Sequence, residues 1–73
     1  MNKVVAIEGF RDRLEQAIFD SGLSLNEICT RAQIGRNNLW SYRWAGVTPS
    51  CDKLRKLAIT LNVSTDWLLG LRG

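Results

Sequence analysis

The sequence predicts an all-α chain of about five short helices. Three observations predict it. Apolar residues return at three- and four-residue spacing in one stretch after another, serine stands ahead of three of those stretches, and Gly22, Gln33-Ile34-Gly35 and Pro49 break the pattern between them. Seventy-three residues make one small domain, which buries only about 60% of its unfolded surface, so the core is thin.

Met1 to Ala6 has no periodicity and reads as a flexible arm, with Lys3 as its one charge; residues 7–73 form the folded unit. Ile7, Phe10, Leu14, Ala17 and Ile18 recur at helical spacing and predict a first helix from Glu8 to Asp20, ended by Gly22. Arg11 and Glu15 are four apart, as are Glu8 and Asp12, which gives this helix a mixed, solvated outer face with no sign of a site. Ser24 with Glu27 is a capping box opening a second helix, whose apolar patch is Ile28, Cys29 and Ala32. A third helix is expected from Arg36 to Ala45. Pro49 prevents its continuation, and Ser50 caps a fourth helix built on Leu54, Leu57, Ala58 and Leu61. Lys53, Arg55 and Lys56 on that helix either extend the basic surface or, as is commoner on a short helix, are plain solvated residues. Ser64 caps a last helix, Thr65 to Leu69, with Val63, Trp67 and Leu68 turned inward. Leu69 and Leu71 are then surplus to the core, and with the edge of Trp67 they suggest a partner surface, most simply a second copy.

The third helix carries the chemistry. At about 100° per residue, Leu39 and Tyr42 share one side, while Arg36, Asn37, Trp40, Ser41 and Trp44 fall on the other. A guanidinium, a carboxamide and a hydroxyl suit base edges, and the two indoles can cover sugar and phosphate. Between Ile28 and Cys51 stand Arg31, Arg36 and Arg43 with no acid, whereas the rest of the chain balances seven basic against seven acidic residues. The net charge of +3 therefore lies in this run, as expected for a polyanionic partner, although an ordinary solvated segment also carries such arginines. The competing reading is a surface that binds another protein through these two tryptophans, four residues apart, since Trp is a favoured interface anchor.

Other functions are excluded more directly. Two cysteines without a histidine or a C-x-x-C make neither a disulfide framework nor a standard zinc site, so no metal and no cofactor is expected. Cys29 reads as a small core residue and Cys51 as a reduced thiol. There is no G-x-S-x-G, P-loop or histidine-based constellation, so the chain is not read as an enzyme. No apolar run spans a membrane, and MNKVVAI lacks the long apolar segment of a signal peptide, which predicts a cytoplasmic protein.

The run from Ser24 to Gly46, then Pro49 and the Leu54/Leu57/Ala58/Leu61 helix, resembles the Cro/cI-type (XRE) helix-turn-helix family of phage and bacterial repressors. The likeness covers roughly Phe10 to Leu69. It rests on the apolar positions Ile28, Ala32, Ile34, Leu39 and Tyr42, on Cys29 at the family's small position, and on the ending LAITLNVSTDWLLG. The chain departs from the family at Gln33 for the turn glycine, Gly35 for the Ser or Thr before the recognition helix, Leu25 for a Gln, and Arg43 for a Glu. The resemblance implies a lambda-repressor-like fold and sequence-specific binding of double-stranded DNA by a transcriptional repressor, with helix 36–45 in the major groove. It implies base contacts from Arg36, Asn37, Trp40, Ser41 and Trp44, and phosphate contacts from Ser24, Arg31, Asn38, Arg43 and Thr48. Family dimers often form through the C-terminal end, which implies a weak homodimer through Trp67, Leu69 and Leu71.

Overall fold

The computed structural model describes residues 9–71; the arm expected over residues 1–6, with Ile7 and Glu8 of the expected first helix, lies outside them. Five helices follow in order: α1 Phe10–Ser21, α2 Leu25–Ala32, α3 Arg36–Trp44, α4 Cys51–Leu61 and α5 Thr65–Leu68. The caps set these boundaries. Ser24 accepts from the Glu27 amide while the Glu27 side chain accepts from the Ser24 amide, completing the capping box. Ser50 and Ser64 accept from the amides of Lys53 and Trp67 in the same way. Gly22 closes α1 in the left-handed conformation at φ 72°.

The core draws one fully buried leucine or isoleucine from each of four helices: Leu14 of α1, Ile28 of α2, Leu57 of α4 and Leu68 of α5. Leu39 and Tyr42 bring α3 onto the same cluster. The α2 helix lies chiefly along α4, and α1 reaches α3, α4 and α5, so α1 is the element that braces the motif from outside. At the chain's end, Arg13 of α1 donates from Nε to the Leu68 carbonyl at 3.1 Å and fastens α5. Gly70, at φ +79°, lets the backbone pass close to that guanidinium: a Cβ there would lie 2.5 Å from Arg13 Nη2.

Among the described residues, no helix is long and apolar enough to cross a membrane. The C-terminal apolar residues differ from their expected disposition. Trp67 and Leu69 pack, partly buried, against the core, so Leu69 is not surplus to it, whereas Leu71 is 73% exposed. The reason is the length of α5: it stops after one turn at Leu68, and the following turn folds Leu69 back onto the cluster.

Candidate nucleic-acid interface

The turn between α2 and α3 is made by Gln33 in the left-handed conformation, φ 57° and ψ 47°, its amide donating back to the Cys29 and Thr30 carbonyls. A non-glycine residue there is strained. Burial of the next residue, Ile34, at 4% exposure, together with the hydrogen bond its backbone N–H donates to the Cys29 carbonyl, holds the turn in place. Gly35 follows in extended geometry without a side-chain cap, and α3 begins at Arg36.

Leu39 and Tyr42 fix the rotation of α3 by turning into the core, where burial pushes the Tyr42 hydroxyl pKa up. The opposite face is left to solvent. Arg36, Asn37 and Asn38 are exposed, Trp40 is 58% and Trp44 47% exposed, and Ser41 is half-covered. This is the arrangement the helical spacing predicts. At the head of the face, Arg36 Nη1 donates to Asn26 Oδ1 of α2. One of the guanidinium's five N–H donors is thereby used to hold it, and four remain. Asn26 is a residue that periodicity does not single out; the available signal is its place in the first turn of α2, beside the Leu25 departure.

The same first turn of α2 holds the capping box. It engages the amides of Ser24 and Glu27 and leaves those of Leu25 and Asn26 at the helix's electropositive end. The Ser24 amide, helped by its hydroxyl and by Arg31, holds the Glu27 carboxyl below its ordinary pKa. Thr48, after α3, is partly covered.

The arginines do not form the single cationic patch that their crowding in sequence suggests. Arg43 pairs with Glu15 of α1 through two bonds, Nε to Oε2 at 2.6 Å and Nη2 to Oε1 at 3.1 Å. Its side chain keeps only 18% of its exposure, and the Glu15 hydrogen bond holds its pKa above the ordinary arginine value. The charge expected to face phosphate is thus cancelled within the fold. Arg31, five residues beyond Asn26, lies about 140° around α2 from it. It lines a groove of about 510 Å³ between the ends of α1 and α4 and α5, with Asp20, Asn62 and Trp67, and no α3 residue shares that lining. On α4, Lys56 and Arg55 both lie beside Asp52, at 3.4 and 3.6 Å.

The outer face of α1 is correspondingly not the plain solvated surface expected from its mixed charges. Glu15 bonds across to α3 rather than along its own helix to Arg11, and the Arg11 guanidinium lies over the Trp44 ring, 4.8 Å from its centroid. Arg43 lies over the same ring at 5.0 Å. Among the described residues, the cations bordering the outward face of α3 without a carboxylate partner are Arg36 at its start and Arg11 at its end.

No protein-family model matches the chain. Over 58 residues, 80% of this chain, it is 41% identical to the HTH-type transcriptional regulator ImmR of Bacillus subtilis (strain 168). That alignment takes in 46% of the regulator, so the chain spans about half the length of the curated relative it matches. With the five-helix architecture and a turn that seats α3 with its polar and indole face outward, this match identifies the chain as a member of the XRE-type, phage-repressor-like helix-turn-helix family.

Proposed function

We propose that the chain binds double-stranded DNA in a sequence-specific manner and regulates transcription, as a repressor, by placing α3 in the major groove. The observation that carries this reading is the outward face of α3: it is exposed while Leu39 and Tyr42 are buried, and Arg36 is held at its head by Asn26. The relative's designation as a transcriptional regulator supports it. Arg36 and Asn37 read bases, Arg suiting guanine and Asn adenine, with Trp40 and Ser41 following one turn later. Trp44, at the helix's far end, covers sugar and phosphate. Ser24, Asn38, Thr48 and the amide end of α2 hold phosphates. Arg43, committed to Glu15, and Arg31, on another side of α2, are withdrawn from that set.

The test is titration of a mixed-sequence duplex at low salt, followed by selection of bound sites from a random pool. Arg36→Ala should then lose about 1–3 kcal/mol of discrimination at one base pair. Absence of any binding at micromolar protein would sink the reading and favour a protein-interaction module working through the exposed Trp40 and Trp44.

One recognition helix touches too few base pairs to select a site, so the functional unit is a weak dimer on a near-palindrome with half-sites about 34 Å apart. The C-terminal end, where Leu71 is exposed beside Trp67 and Leu69, supplies the contact. A Leu71→Glu variant should lose cooperative occupation of a two-half-site operator. Unchanged steepness would move the contact elsewhere.

A further inference from the structure

We propose that Arg11, seated on the Trp44 ring, is a phosphate clamp at the wall of the groove that α3 enters. The proposal rests on the DNA-binding reading above and extends the contact surface to α1, an element outside the helix-turn-helix.

The length of α3 locates the clamp. Nine residues, Arg36–Trp44, rise about 13 Å along the helix axis, close to the roughly 12 Å width of the major groove. A helix whose first turn meets base edges therefore ends at the groove wall, where a strand of phosphates runs. Trp44 follows Asn37 by seven residues, or two turns, and so stands on the same outward face. The cation over its ring is carried to that wall.

Of the two guanidiniums at this ring, only Arg11 is placed to serve. Arg43 has two of its nitrogens engaged by Glu15. Arg11 is exposed, its i+4 neighbour Glu15 is committed to Arg43, and among the described residues no carboxylate pairs with it. A guanidinium over an aromatic ring interacts through its face, while its N–H donors point outward in its plane and suit phosphate oxygens. Arg11 also stands in the first turn of α1, where a cation opposes the helix dipole. Helix formation does not call for a positive charge at this position; a phosphate does.

The experiment measures duplex affinity against salt concentration by fluorescence anisotropy, on mixed-sequence DNA and on a selected site, for the parent, Arg11→Gln and Arg11→Lys. Circular dichroism confirms that each variant is folded. Arg11→Gln should weaken both duplexes alike and lower the slope of log affinity against log salt by about one unit. Arg11→Lys should keep the slope. In a Trp44→Leu background, which removes the platform, Arg11→Gln should have a smaller effect than in the parent. A parent that binds steeply beside an Arg11→Gln variant of equal slope overturns the clamp and leaves the DNA reading standing; an equal effect of Arg11→Gln in both backgrounds overturns the role of Trp44. A parent that binds no DNA overturns both readings.

Discussion

Replacing Arg43 with methionine removes the guanidinium that joins α3 to α1 while keeping an unbranched stem against the surface. Exposed ion pairs contribute about 0.2–1 kcal/mol, whereas breaking a fully buried pair costs about 3–5 kcal/mol. The Arg43–Glu15 pair lies between, since its side chains keep 18% and 32% of their exposure and the geometry is bidentate. The contact with the Trp44 ring adds about 0.5–1 kcal/mol at a partly exposed site. A loss of about 2 kcal/mol follows, a large share of the roughly 4–11 kcal/mol expected for 73 residues. For a chain of this size that lowers the melting temperature by about 8–16 °C, measured by circular dichroism. Combined with Glu15→Gln, the two changes should couple by about 1 kcal/mol in a double-mutant cycle. Because this cation is internally neutralised, the salt slope of DNA binding should not move. A melting temperature within about 2 °C of the parent, or a slope reduced by a full unit, would refute the argument: Arg43 would then be releasing Glu15 to meet phosphate.

Three further outcomes follow from local geometry. Asn26→Ala frees the Arg36 side chain, and restoring the entropy of one long side chain should weaken operator binding about threefold to tenfold with little change in melting temperature; a loss of stability instead would make Asn26 a folding residue. Gly22→Ala should cost about 1 kcal/mol for its left-handed backbone alone, since nothing lies within 4 Å of a Cβ there, whereas Gly70→Ala should cost more because it also displaces Arg13; equal chemical-denaturation midpoints would contradict that ranking. The Ser24 amide chiefly holds the Glu27 carboxyl below its ordinary value of 4.5. The stability that this linkage gives is present above that pH and is lost as pH falls through the lower folded value, so the parent's melting temperature should drop more below about pH 4.5 than that of Glu27→Gln. Parallel curves would remove the capping box as the cause.

The sequence by itself determined the helices and the rotation of the recognition helix. Helix starts depend on local chemistry, a serine oxygen reaching an amide three residues on, and this is legible at Ser24, Ser50 and Ser64. The inward turn of Leu39 and Tyr42 follows from a fixed angle per residue, which puts Asn37, Trp40 and Trp44 outside whatever the neighbours are. Gln33 in place of glycine left the turn undecided, because the cost of a left-handed residue is local while its compensation, the burial of Ile34, is not. The electrostatics were decided only in three dimensions. Sequence places Arg31, Arg36 and Arg43 in one acid-free run, but a charge pairs with whatever side chain the packing brings within a few ångströms. That partner was Glu15, 28 residues away, for Arg43, Asn26 for Arg36, and the Trp44 ring for Arg11. A helix also distributes neighbouring residues around its axis, so Arg31 left the face to which its place in the sequence seemed to assign it. Burial and spacing are properties of one element, while the identity of a charge's partner is a property of two.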